Sequence, residues 1–356
     1  MIGELDMYVR EIGSDFHINP NIFNKDTTIN NIFFYLRSFD KQLFDSGRSA
    51  LLALLMDLNT HKVLLPNYIC ESVRESFINS NVVYYNIDSE FKIDWEDLLK
   101  KCNDNNFDIL YLYFFNGYID VNYDFDKLKK IKREKKFIII EDTTHSIFSN
   151  KRIIGDYCIC SLRKWFPIAD GGILYSKNNL NKKIFELNSW AQKKEKAMID
   201  KAAYLRGKQI DKKSFFNILR ESEKCLDEQD MPFNISNGSY DILKKININD
   251  IICRRKNNLN ILRNLLKSYN IKVFAVDGIN QVPIFCPIKS RMRDELKDYL
   301  IINHIYCPTH WPLYDELKIY EVALNNSIEE LTIPIDQRYS EEDMRYIADK
   351  IINFYV

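Results

Sequence analysis

The chain has 356 residues, with Lys+Arg 50 against Asp+Glu 50, so its formal net charge is zero and no global field favours nucleic acid or an anionic membrane. That length exceeds one ordinary domain and suits a large domain plus a smaller one, and the 46% of hydrophobic residues leaves ample material for a core. Residues 1–10 carry acids where a signal peptide carries bases, and no apolar run reaches spanning length, so the expectation is a cytoplasmic protein with no membrane and no nucleic-acid partner.

Taken in chain order, residues 47–59 read as a helix, with Leu51, Leu52, Leu54, Leu55 and Leu58 forming an apolar stripe. Residues 63–65 are a short strand stopped by Pro66, and residues 82–85 are another, followed by a helix at 95–99. The run 109–115 is continuously apolar, as buried parallel strands are. Residues 125–136 predict a basic amphipathic helix with a solvated charged face, and 137–140 the next strand. This alternation argues for a mostly parallel sheet covered by helices. Residues 177–230, rich in Lys, Glu and Gln, read as helices and loops. A long helix over 240–270 then leads to a carboxy-terminal α+β unit. Its strands fall at 271–276, 282–286, 304–307 and 331–334, and its last helix at 341–354 follows the N-cap Ser340. The division expected is a large α/β domain at 1–238 and a small α+β domain at 239–356. The eight cysteines, scattered without metal spacing, read as free thiols of a reducing compartment, and no metal site is expected.

Two segments carry chemistry. The strand run Ile138-Ile139-Ile140 ends in Glu141-Asp142, followed by Thr143-Thr144-His145. A second run at 157–160 leads into Ser161-Leu162-Arg163-Lys164-Trp165. An acid at one strand end and a lysine just past the next match the needs of pyridoxal 5'-phosphate (PLP). The lysine forms a Schiff base, and the acid keeps the pyridine nitrogen protonated so that the ring can act as an electron sink. The cofactor phosphate needs N–H groups, ideally at a helix start, and Asp45-Ser46-Gly47-Arg48-Ser49-Ala50 offers them. Gly47 permits close approach and Ser49 adds a hydroxyl. Ser161, three residues before Lys164, is placed to bind the same phosphate. Arg163 either adds charge there or lies on the surface. Taken alone, the Gly47 turn reads as an ordinary helix start, and His145 as a structural histidine.

With these residues in view, the chain resembles the DegT/DnrJ/EryC1/StrS sugar aminotransferases, a family of fold-type I PLP enzymes, from about Asp45 to the end. The resemblance runs through Ser46-Gly47-Arg48-Ser49-Ala50-Leu51, Pro66-Asn67-Tyr68-Ile69-Cys70, Glu141-Asp142-Thr143-Thr144-His145-Ser146, and Gly155-Asp156 to Ser161 with Lys164 and Gly171-Gly172. It implies that Lys164 is the Schiff-base lysine and proton shuttle. Asp142 pairs with the pyridinium, and His145 lies against the ring near its phenolic oxygen. Gly47, Arg48 and Ser49 hold the phosphate mainly through backbone N–H groups, with Ser161 adding a hydroxyl. The family often stacks an aromatic on the ring four residues after the proline of the second segment. Cys70 stands there, and Tyr68 is the nearby aromatic. The usual His-x-Tyr-Gly is replaced by Phe114-Phe115-Asn116-Gly117. Ile235 to Ser239 sits where family members send a loop into the partner subunit, and 307–312 where a small-domain loop approaches substrate.

The resemblance therefore implies a homodimer with shared active sites, Asn237 reaching the cofactor phosphate of the other chain. It implies transfer of an amino group from an amino acid, glutamate in most of the family, to a nucleotide-linked keto sugar. Two alternatives keep the fold: another PLP reaction such as sugar dehydration, whose enzymes commonly replace the lysine with histidine, and a catalytically silent binding protein. Lys164 speaks against the subclass that replaces it and leaves other PLP chemistry open, and Lys164 with Asp142 speaks against the silent protein. A nicotinamide dehydrogenase lacks support, since no Gly-x-Gly-x-x-Gly follows a strand.

Overall fold

The computed structural model describes residues 10–119, 123, 125–149, 153–274 and 281–356. The strands are β1 (Ile12–Gly13), β2 (Asp40–Phe44), β3 (Lys62–Pro66), β4 (Asn81–Tyr85), β5 (Ile109–Tyr113), β6 (Ile138–Asp142), β7 (Tyr157–Ser161), β8 (Gly172–Ser176), β9 (Cys286–Lys289), β10 (Ile305–Tyr306) and β11 (Glu330–Ile333). The helices are α1 (Ile32–Tyr35), α2 (Gly47–Leu55), α3 (Glu71–Ser76), α4 (Trp95–Asp104), α5 (Phe125–Lys135), α6 (Ala191–Leu205), α7 (Lys212–Asp227), α8 (Asn237–Lys245), α9 (Ile248–Lys267), α10 (Arg293–Ile302), α11 (Glu321–Glu329) and α12 (Glu341–Tyr355).

The main sheet has the order β2-β8-β7-β6-β5-β3-β4. Strands β3 to β7 pair in parallel, while β8 is antiparallel to both β7 and β2. Residues of β5 and most of β6 are buried, which explains their unbroken apolar runs. One core lies around β3 to β6 with α2, α4 and α5, and a second around Trp165, Phe166, Phe215 and Leu219. A third core joins Leu259, Leu262, Ile288, Leu331, Ile347 and Ile351 with Ile12 of the amino-terminal segment. Strand β1 pairs with β10, so the chain's start is built into its carboxy-terminal unit. Ile242, Leu243, Ile248 and Ile251 pack instead in the second core, with the main sheet.

The helix expected at 240–270 is two helices. Ile246 is extended, and the Asn247 side chain accepts from the Asn249 N–H, starting α9 afresh. The strand expected at 282–286 begins only at Cys286. Val282 and Ile284 are buried for packing rather than sheet pairing. Of the expected strand 271–276, Val273 makes an isolated bridge to Ile288, and 275–276 lie outside the described residues.

Candidate active site

The parallel strands end on one side of the sheet, where ligands of open α/β folds bind. Asp142 closes β6, Ser161 closes β7, and Ser46 and Gly47 follow β2 into α2. Two glycines bring these ends together. A Cβ on Gly47 would meet Ser161 at 3.2 to 3.4 Å, and a Cβ on Gly172 would lie 2.0 Å from the Ser46 carbonyl oxygen. The Ser46 hydroxyl caps α2 by accepting from the Ser49 N–H at 3.0 Å. Gly47 and Arg48, the first two residues of the helix, have N–H groups without an intrahelical partner.

A cavity of about 440 Å³ collects Ser46, Gly47, Arg48, Asp142, His145, Ser161 and Lys164, with Trp311 over it. A second, of about 460 Å³, is lined by Ser14, Lys194, Arg255, His310 and Arg338. Lys164 and Arg163 line both. The Lys164 segment is clamped from below. Thr144 accepts from the Ser161 N–H at 3.0 Å and, through its carbonyl, from the Trp165 indole at 2.7 Å. From the carboxy-terminal side Gln337 donates to the Trp165 carbonyl at 2.6 Å, and Arg255 lies over the Trp165 ring.

Asp142 is buried. It accepts from the Tyr111 hydroxyl at 2.7 Å through Oδ2 and from the Thr144 N–H at 2.8 Å through Oδ1. Burial raises its pKa, opposed by the bonds from Thr144 and Tyr111 and by the charge of Lys164. A carboxylate has about four acceptor sites, so capacity remains for a cationic N–H from the cavity. His145 is also buried, and its Nδ1 meets the Tyr113 hydroxyl and accepts from the Asn116 N–H at 3.1 Å. A backbone N–H can only donate, so Nδ1 carries the lone pair and Nε2 the proton. Burial, then His310 and Lys164, hold its pKa well below the usual value, which keeps it neutral. Burial raises the pKa of both tyrosines, so they stay protonated.

Two of the expected residues lie outside the cavity. Ser49 does not line the cavity, because its hydroxyl is turned inward and donates to Asp45 at 2.6 Å. It supports the turn, and its N–H is spent on Ser46. Tyr68 is also outside the cavity. Its hydroxyl donates to the His310 carbonyl at 2.9 Å and its ring packs on Phe115 and Trp311, so it holds the 307–312 loop in place. Asn237 begins α8 on the surface and is not a lining residue. Arg48 lines the cavity, but its guanidinium pairs with Glu75 at 3.1 Å and with Asp227. The remaining expected residues, Gly47, Asp142, His145, Ser161 and Lys164, surround one space.

Sequence reasoning missed Tyr111 and Tyr113. Their alternation within the apolar run of β5, beside β6 in the sheet, is the signal that could have found them. It also missed the half-buried cluster in which Arg163 (2.7 Å) and Lys194 share Glu223. Burial alone would raise the Glu223 carboxyl, but the two cations hold it at about 2.

No family model and no curated protein sequence matches the chain. Solved structures do. A protein described as a sugar aminotransferase, Spr1654 from Streptococcus pneumoniae, superposes in its apo form with a TM-score of 0.68 at 14% identity, over 97% of both chains. It is also known in a PLP form, with a TM-score of 0.67 at 13% identity, over 97% of this chain and 98% of that one. The aminotransferase TlmJ from Streptoalloteichus hindustanus gives 0.67 at 12% identity, over 97% of this chain and 98% of its own. DesI, solved in the presence of its TDP-sugar product, gives 0.60 at 14% identity, over 88% and 80%. The chain has the fold of these aminotransferases.

Proposed function

We propose that the protein is a PLP-dependent aminotransferase that moves an amino group from an amino acid to a keto sugar. The observation that carries this reading is the convergence of Asp142, Lys164, Ser161 and the start of α2 on one cavity. The residues fit the group. Asp142 has acceptor capacity left for a pyridinium N–H, and Gly47 has no Cβ to crowd the approach to Ser161. When bound, PLP supplies the electron sink for cleaving a bond at the amino acid's Cα. The N–H groups of Gly47 and Arg48 and the Ser161 hydroxyl would hold its phosphate. His145 would donate from Nε2 to the phenolic oxygen. Lys164 would anchor the cofactor and afterwards move the proton between Cα and the cofactor's C4′. Trp311, held by Tyr68, would cover the site and exclude water.

Glutamate as donor and a nucleotide-linked keto sugar as acceptor deepen this reading. It is supported by the cations around the second cavity, where Arg255 is held by carbonyl and amide oxygens. The likeness to DesI, a protein solved with its TDP-sugar product, is in keeping with it. We further propose a cytoplasmic homodimer, with Asn237 donating to the phosphate held by the partner. No helix among the described residues is long and apolar enough to cross a membrane.

The test is a half-reaction screen. Protein loaded with PLP should show an absorbance band near the visible edge, and L-glutamate should convert it. Failure to take up PLP overturns the proposal; uptake without conversion by any amino acid overturns the aminotransferase assignment.

A further inference from the structure

Arg163 stands one residue before Lys164 and lines both cavities, yet its side chain is only partly paired. Its Nη1 donates to Oε1 of Glu223 at 2.7 Å, and Lys194 donates to the same oxygen. One carboxylate oxygen therefore serves two donors. The other edge of the guanidinium is unspent. Nε is buried without a hydrogen-bond partner, and Nη2 makes no hydrogen bond among the described residues. The other acids near it, Asp45 and Asp15, act on it only through charge at longer range. A guanidinium stays protonated in proteins and only donates, so this edge calls for an acceptor that its neighbours do not supply.

Nε and Nη2 point the same way in the plane of the guanidinium. Together they match the two oxygens of a carboxylate, a pairing that a lysine cannot reproduce. Lys194 places the cluster on the second cavity. Its side chain is 5% exposed, and it lines that cavity but not the first. In the same cavity Arg255, also fully buried, bonds only neutral oxygens among the described residues, those of Gln337, Ile284 and Lys164. Holding guanidinium groups out of water without matching anions is costly, and an anionic ligand that enters the cavity offsets that cost.

We propose that Arg163 is a specificity-determining residue whose free edge binds a substrate carboxylate in the second cavity, while Lys194 holds Glu223 aside as the resident counter-ion. The carboxylate is supplied by the amino donor or by an acidic sugar. This rests on the reading of the cavities as an aminotransferase site.

The experiment uses the full chain, with and without PLP, labelled with 15N at arginine Nε. The Arg163 Nε–H resonance is assigned by its loss in Arg163→Lys. Glutarate and methyl β-D-glucuronide are the probes, since neither has an amino or carbonyl group with which to react. At least one should shift the Arg163 Nε–H resonance downfield with saturation. A response to glutarate assigns the carboxylate to the amino donor, and a response to the glucuronide assigns it to an acidic sugar. A response to neither, or to inorganic phosphate alone, overturns the proposal. Calorimetry then separates geometry from charge. Arg163→Lys keeps the charge but not the paired N–H groups, and should weaken the responding probe at least about tenfold. Equal affinity would make Arg163 a background charge and overturn the proposal. Glu223→Gln removes the like charge beside the site and should tighten the probe about threefold. Weakening there would reject the counter-ion role. These readouts need no turnover, so failure of the aminotransferase reading is seen separately, as failure to take up PLP.

Discussion

The Tyr111 hydroxyl donates to Oδ2 of Asp142 at 2.7 Å, across the pairing of β5 with β6. This bond aims a buried carboxylate into the cavity. Asp142→Ala should lose at least about 2.7 kcal/mol of transition-state stabilisation, roughly a hundredfold in rate. Tyr111→Phe removes one bond to a charged acceptor and should cost about 1.5 kcal/mol, roughly tenfold. Rates of both variants with L-glutamate check this ranking. Near-normal turnover in Asp142→Ala would make the acid merely structural.

Lys164 lines both cavities, and its side chain is exposed rather than packed in a core. Borohydride reduction of the PLP-loaded protein should fix the cofactor's mass on the peptide containing Trp165. Lys164→Ala should melt within a few degrees of the parent. Labelling at another lysine would sink the assignment.

Gly172 has no room for a methyl group, since its Cβ would lie 2.0 Å from the Ser46 carbonyl oxygen and 2.6 Å from the Gly47 nitrogen. Both obstacles are backbone, so the turn into α2 must move. Gly172→Ala should cost about 3 kcal/mol in urea unfolding and weaken PLP uptake at least tenfold. Unchanged uptake would show that the turn does not hold the phosphate.

Glu11 tethers the amino-terminal segment to Lys201 at 3.2 Å and Lys212 at 2.8 Å. Burial pushes its carboxyl up, but the two lysines, helped by Ser14, bring it down to about 2 from 4.5. Because the folded pKa is depressed, the stabilisation is fully present above pH 4.5. It is lost as pH falls through about 2. The difference in melting temperature between the parent and Glu11→Gln should therefore be constant near neutrality, shrink below pH 4.5 and vanish near pH 2. A difference independent of pH would mean that the tether is not electrostatic.

The shared-site proposal is tested by mixing Lys164→Ala with Asn237→Asp after subunit exchange. If Asn237 acts in trans, each mixed dimer contains one site with both parts intact, and activity returns. Proven exchange without recovery rejects the model.

The residues that converge on the cavity were legible because their placement is local. Asp142 and Ser161 close adjacent strands, Lys164 follows by three positions, and Gly47 opens a helix, so short-range spacing in the sequence already brings them to one end of the sheet. The alternation of apolar runs with amphipathic helices likewise foretold the parallel sheet. Strand β2 escaped because Asp40-Lys41-Gln42 is polar, as an edge strand can be when only one side pairs. The inward turn of Ser49 onto Asp45, the use of Tyr68 to brace His310 and the sealing of β1 against β10 were decided by tertiary structure alone. So was the tautomer of His145. A hydroxyl or an imidazole in a sequence has no preferred partner. Its orientation is chosen by which donors and acceptors folding brings within 3 Å or so, and Asn116 lies 29 residues from the histidine it orients.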